Sequence, residues 1–321
     1  MIRSLFEGWT IGYRRGCKMG LSEILEFVKV EHTLFSLPFV LIGFVLADNE
    51  FGSERMDIVW IVIAAVGARG LAMALNRIVD RDIDAENPRT ASRHLPSGTM
   101  SMRSAWILSG SFLAMLLIAA WMLNEVALKM AWLPVVAFVI YPYTKRVSWI
   151  CHFWIGLCLA LAPAGAWVAI AADTHGWGAI TGQLEGGTEL LWYPEVFFIS
   201  LGVALWISAF DINYALMDQE VDRAQGIRSF PASYGEVATM WLSVFLTLGW
   251  LVCFLFTGID SPEYWFTTVI LMAMINLYVV TNRASRASAS TEEMHAYQRE
   301  LFGASMLTGW ILLGSLVFIV Y

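Results

Sequence analysis

Nine apolar stretches recur along the chain, at about 33–47, 57–75, 105–123, 126–141, 150–172, 191–217, 237–257, 263–280 and 304–321. Each approaches the roughly 20 residues that a helix needs to cross hydrocarbon. Transmembrane strands are shorter and alternate in polarity; these runs of Leu, Ala, Ile, Val and Trp do not. The expected fold is therefore all-α, a polytopic membrane protein of nine transmembrane helices. Composition agrees, with 58% hydrophobic and only 15% charged residues, against about 25% charged in an average soluble domain. Although 321 residues is long enough for two soluble domains, this hydrophobicity points to one nine-helix unit over 29–321. A basic cytoplasmic segment, 1–28, precedes it.

Lys and Arg placement sets the orientation, because cytoplasmic loops carry the excess of positive charge. With the N-terminus inside and the spans alternating, 17 of the 20 basic residues fall inside, only Arg55 and Lys129 fall outside, and Arg69 lies within a span. The expected location is an integral membrane one, with any active site on the cytoplasmic side. The first 20 residues lack an apolar core of signal-peptide length, so no cleavable signal is expected. Formal net charge is −7, which gives no reason to expect a nucleic-acid partner. The four cysteines, Cys17, Cys151, Cys158 and Cys253, have no metal-ligand spacing.

The unusual chemistry sits at the inner ends of two spans. Arg69, Asn76, Asp80 and Asp84 follow one another at gaps of seven, four and four; Asp211, Asp218 and Asp222 follow at seven and four. Those gaps are about two turns and one turn of helix, so each series reads as one polar stripe that starts in an apolar span. Ionisable groups within a span are costly and are functional candidates by default. A single D-x-x-x-D at a helix end is usually a solvated face. Two copies, each ending a span on the same side and each trailed by basic residues, are not explained that way. Carboxylates one turn apart, about 6 Å along the axis, repel one another unless cations lie between them. Hard oxygen donors suit Mg²⁺, which binds through one or two carboxylates plus substrate phosphates.

Asn76, Asp80, Asp84, Asp218 and Asp222 are thus the candidate Mg²⁺-diphosphate residues. Asp80 and Asp218 are the strongest, because they sit deeper than their partners. Arg89 and Arg93 follow the first stripe, Lys145 and Arg146 lie in "YPYTKR", and Arg223 and Arg228 follow the second. Arg grips phosphate oxygens through two N–H groups, whereas Lys acts as a point charge. Pro88 should end the first stripe's helix, leaving the next loop free to fold back over the site. A merely structural pairing of Arg69 with Asp211, joining two helices, is the plainer reading of those two residues.

The residues carrying these stripes resemble the UbiA superfamily of intramembrane aromatic prenyltransferases. Its first signature, N-x-x-x-D-x-x-x-D, is matched by Asn76, Asp80 and Asp84, continuing as "NPRTASRHLPSG". The second, Y-A-x-x-D-x-x-x-D, is matched by Tyr214, Ala215, Asp218 and Asp222, continuing to "GIRSFP". "EHTLFSLPFVLIG" and "YPYTKR" are also similar to family segments, and the likeness extends from about residue 29 to 321. It implies a helical bundle around a central cavity and transfer of a polyprenyl group from an allylic polyprenyl diphosphate to a ring carbon of an aromatic acid. The 4-hydroxybenzoate polyprenyltransferases are the subgroup it resembles. Mg²⁺ is the implied cofactor, and the diphosphate, the acceptor and the bilayer are the implied partners, with no protein partner.

The resemblance makes Arg69, Lys145 and Arg146 candidates for the diphosphate or the acceptor carboxylate. Tyr143, Tyr214 and Arg89 become candidate substrate contacts, and Asp211 a candidate base or acceptor-orienting group. The chain departs from the family at Arg77, where many members carry Asp; Arg cannot ligate Mg²⁺. This variant is similar to a subgroup that includes menaquinone-pathway enzymes, so a naphthoate-type acceptor is the alternative. Outside enzymes, intramembrane acids on two related stripes also fit a cation-coupled transporter.

Overall fold

A computed structural model describes residues 20–182, 193–257, 259, 261–284 and 291–321. Most of the basic N-terminal segment, the glycine-rich stretch 183–192 and Arg286 lie outside the described residues. Among those described, every regular element is a helix. In chain order these are α1 (Leu21–Phe27), α2 (Val30–Phe51), α3 (Asp57–Val79), α4 (Arg81–Glu86), α5 (Met102–Leu123), α6 (Glu125–Met130) and α7 (Trp132–Val147). Then come α8 (Cys151–His175), α9 (Gly178–Thr181), α10 (Pro194–Tyr214), α11 (Gln219–Gln225), α12 (Phe230–Leu255), α13 (Pro262–Ala284) and α14 (Thr291–Val320). A 3-10 turn, Ala215–Asp218, joins α10 to α11. Nine of the described helical segments are long and apolar enough to cross a membrane, matching the nine apolar stretches.

Two differences from the sequence reading have simple causes. The last span begins at Thr291, well before the expected 304. Polar residues such as Glu292 and Glu293 continue the helix beyond its apolar part, and acids favour a helix N-terminus. More consequentially, neither polar stripe is one continuous helix. Asp80 ends α3 with φ −92 and ψ 7, and Asp218 ends the 3-10 turn with φ −99 and ψ 5. Both sit in the sparsely used bridge region, each at the junction of a long span with a short helix.

The spans form a ring in which α8 packs between α2 and α10, α10 against α12, and α12, α13 and α14 lead back to α2; α3 packs on α5 and α7. Close approach depends on small residues, as usual where helices meet in lipid. A methyl group at Gly43 of α2 would lie 2.2 Å from the Pro163 carbonyl oxygen of α8, and one at Gly156 of α8 would lie 2.4 Å from that of Ala204 in α10. Buried Phe35, Phe39, Trp206, Trp250, Phe254 and Trp265 fill the core. Between α2, α3, α5, α6, α7, α8 and α10 is a cavity of about 590 Å³, walled by residues such as Val40, Ala65, Leu116, Leu159, Trp167 and Val196. Arg69 is the one charged side chain among its described lining residues.

Candidate active site

Both short helices, α4 and α11, lie at the basic end of the bundle, and the loop after α4 ties them together. Asn87 takes an extended conformation, φ −92 and ψ 118, as the residue before a proline must. The chain then turns back as the position of Pro88 suggests. The amide of Asn87 donates to Asp218 Oδ1 at 2.9 Å. Arg89 holds the same carboxylate through two N–H groups, Nε to Oδ1 at 2.8 Å and Nη2 to Oδ2 at 2.5 Å. The loop following the first stripe therefore closes on the second stripe. Arg93 meanwhile grips both oxygens of Asp84 at 2.8 Å.

Asp80 is only 1% exposed. Asn76 donates to its Oδ2 at 2.9 Å, and Lys145 Nζ lies 2.6 Å from the same oxygen. Arg146 stands 3.6 Å from Oδ1 and donates to the Val79 carbonyl at 2.9 Å. Burial pushes the Asp80 carboxyl above the usual carboxylate range, against the opposing pull of Lys145 and Arg146. Asp222 is buried and makes no ion pair among the described residues, though Lys145 is near enough to act on it electrostatically. Three of the four motif aspartates are thus paired with Arg or Lys, and Lys145 faces both stripes.

Other predicted residues are placed differently. Arg223 donates to the Ala232 carbonyl and Arg228 to that of Val147, so both brace the loop between α11 and α12 rather than a carboxylate. Tyr143 is 49% exposed with the Arg146 guanidinium over its ring. Tyr141, not singled out from the sequence, is instead within electrostatic reach of Asp80, Asp211 and Arg69. Tyr214 stacks on Phe210 and is close to Arg89. His32, a polar residue near the start of the first span, meets Phe302 edge to face. Arg77 is 4% exposed and lies over the Phe27 ring of α1, which explains how Arg replaces an acid there without entering the cluster.

The plain pairing of Arg69 with Asp211 is not formed. Asp211 Oδ2 meets His152 Nδ1 at 2.6 Å, and Arg69 makes no ion pair among the described residues. Its Nε is buried without a hydrogen-bond partner, in the wall of the apolar cavity. None of the motif aspartates lines that cavity. They lie beyond Arg69 toward the basic end; Asp80 is eleven residues further along the chain, about 16 Å at helical rise.

The donor set fits a hard divalent cation: carboxylates plus one amide oxygen, in the absence of thiolate or imidazole. Asp80 Oδ1 is buried and accepts no hydrogen bond. Among the described residues no three His, Cys, Asp or Glu side chains converge as a preformed cage. Mg²⁺ does not need one, since it completes its shell with water and phosphate oxygens.

Comparison with known proteins decides the family. The model of the UbiA prenyltransferase family matches residues 36–306. The chain belongs to the UbiA prenyltransferase family. This UbiA protein is 29% identical over 266 residues to the 4-hydroxybenzoate solanesyltransferase of Synechocystis, covering 80% of each chain. Other curated relatives match over a shorter span; the chain covers 55% of the length of two of them. Among solved structures, the apo UbiA homolog of Aeropyrum pernix superposes with a TM-score of 0.73 at 27% identity, over 90% of this chain and 98% of that one. A UbiA homolog from Archaeoglobus fulgidus bound to GPP and Mg²⁺ shares the fold, with TM-score 0.60 and 18% identity over 91% and 99%. As a family member with nine apolar helices, the chain is an integral membrane protein.

Proposed function

We propose that this UbiA family member, acting as one catalytic domain over 29–321, transfers a polyprenyl group from its diphosphate to a ring carbon of 4-hydroxybenzoate or a related aromatic quinone precursor. The observation that carries this reading is the closure of the Asn87–Arg89 loop on Asp218. It joins two acidic stripes at the mouth of a bundle whose interior is apolar. The named substrates of the relatives support the acceptor class. Membership of a prenyltransferase family favours transfer over cation transport.

Asp80 and Asp218, with Asn76, Asp84 and Asp222 beside them, would hold Mg²⁺, which supplies charge neutralisation for the departing diphosphate. Arg89, Arg93, Lys145 and Arg146 are placed to bind its oxygens; they already face the same carboxylates. Breaking the allylic C–O bond leaves a carbocation, and the acceptor ring carbon attacks it and then loses its proton. The apolar walls beyond Arg69 take the prenyl tail and exclude water that would capture the cation. Arg69, charged and short of a partner, suits the acceptor carboxylate. We place the N-terminus and this basic end on the cytoplasmic side of a bacterial inner membrane, following the positive-inside distribution.

Detergent-purified protein given a polyprenyl diphosphate and 4-hydroxybenzoate should form a prenylated acid only when Mg²⁺ is present, as read by mass spectrometry. A 1,4-dihydroxynaphthoate arm tests the second reading, which rests on Arg77. No product with any phenolic or naphthoic acid, from protein shown to be folded, sinks the proposal.

A further inference from the structure

His152 is 2% exposed, in the first turn of α8, and both of its ring nitrogens are engaged. The Phe230 backbone N–H donates to Nε2 at 3.0 Å. Phe230 opens α12, where the first backbone N–H groups have no partner within the helix, so His152 satisfies one of them. An imidazole nitrogen that accepts a hydrogen bond carries no proton. The ring proton is therefore on Nδ1, which donates to Asp211 Oδ2 at 2.6 Å. One side chain thus links α8, α10 and α12 and fixes the rotamer of a carboxylate inside a span.

Asp211 is not closed off by this contact. Its side chain remains 23% exposed, and only Oδ2 meets the imidazole. It lies seven residues before Asp218, about 10 Å at helical rise, and Tyr141 is within electrostatic reach of Asp211, Asp80 and Arg69 alike. Asp211 thus lies at a level between the diphosphate residues and the cavity, where the acceptor ring must stand to meet the reacting allylic carbon.

We propose that His152 is a positioning residue: it holds Asp211 so that the other carboxylate oxygen accepts a hydrogen bond from the hydroxyl of the aromatic acceptor. The inference rests on the prenyl-transfer reading and adds a residue specific for the acceptor. Backbone capture by Nε2 sets the tautomer, the tautomer makes Nδ1 a donor, and the donor leaves Asp211 one free acceptor aimed at a phenol. Gln can reproduce both contacts, with its carbonyl oxygen toward Phe230 and its amide toward Asp211; Leu can reproduce neither.

The test is steady-state kinetics of His152→Leu and His152→Gln with each substrate varied in turn. His152→Leu should raise KM for 4-hydroxybenzoate at least about tenfold, as for loss of a hydrogen bond to a charged group, with the KM for the polyprenyl diphosphate unchanged. His152→Gln should recover most of the acceptor affinity. Equal rises in both KM values, an unchanged acceptor KM, or no recovery by Gln would overturn the assignment. If His152→Leu does not fold, Asp211→Asn serves instead and should show the same acceptor-specific loss; parental acceptor KM in that variant counts against the proposal. If even the parent protein forms no prenylated product, the prenyl-transfer reading fails. Thermal-shift binding of 4-hydroxybenzoate, weakened in His152→Leu only if the inference holds, then judges His152 separately.

Discussion

Asp80 and Asp218 occupy matching helix breaks, and each is set against basic side chains from elsewhere in the chain. In the proposed reaction these carboxylates are needed as ions, and the basic side chains set against them favour that form while burial opposes it. Removing a charge but not the shape isolates that role. Asp80→Asn and Asp218→Asn should each lower turnover by on the order of 10²–10³, with the protein still inserted and monodisperse by size-exclusion chromatography. Arg89 contributes geometry as well as charge, since it meets Asp218 with two N–H groups. Lys keeps the charge but not the fork. Arg89→Lys should therefore raise KM for the diphosphate about tenfold, in an assay that varies the donor at saturating acceptor. A KM equal to that of the parent would show that charge alone suffices.

At the scale of the elements, packing of α8 against α2 and α10 sets how closely the stripes approach. Gly43→Ala forces a methyl group onto the Pro163 backbone, which cannot move aside as a side-chain tip can. We expect a loss of about 1–3 kcal/mol, read as a lowered thermal midpoint in detergent. The nine spans and the four motif aspartates were legible in the sequence, because apolar length and the D-x-x-x-D spacing are both local patterns. The helix breaks at Asp80 and Asp218 were not, since four- and seven-residue gaps read equally well as a continuous helix. The sequence singles out Tyr143 and not Tyr141; residues two apart point to different sides of a helix, and only the packing brings Tyr141 within reach of Asp80, Asp211 and Arg69. His152 gave no local signal; its partners are 59 and 78 residues away. Arg77 reads in the sequence as a departure from the motif, and only the packing of α1 reveals it as buried against Phe27.

For the whole molecule, the segregation of charge underlies both the proposed orientation and the proposed division of labour, with polar chemistry at one end and apolar volume beyond Arg69. Ser97 and Lys129 are exposed at opposite ends of the bundle. In a Cys17→Ser background, where the described native cysteines are buried, a membrane-impermeant maleimide applied to intact cells should label Lys129→Cys and not Ser97→Cys. Reversed labelling would contradict an N-terminus-inside arrangement. In the proposed reaction two acidic stripes, far apart in sequence, jointly bind Mg²⁺-diphosphate. Isothermal titration of inorganic diphosphate into detergent-solubilised protein, with and without Mg²⁺, tests it directly. Binding should be saturable, require Mg²⁺ and weaken at least about tenfold in Asp80→Asn and in Asp218→Asn alike. Binding that is indifferent to Mg²⁺, or that survives loss of either aspartate, would contradict it.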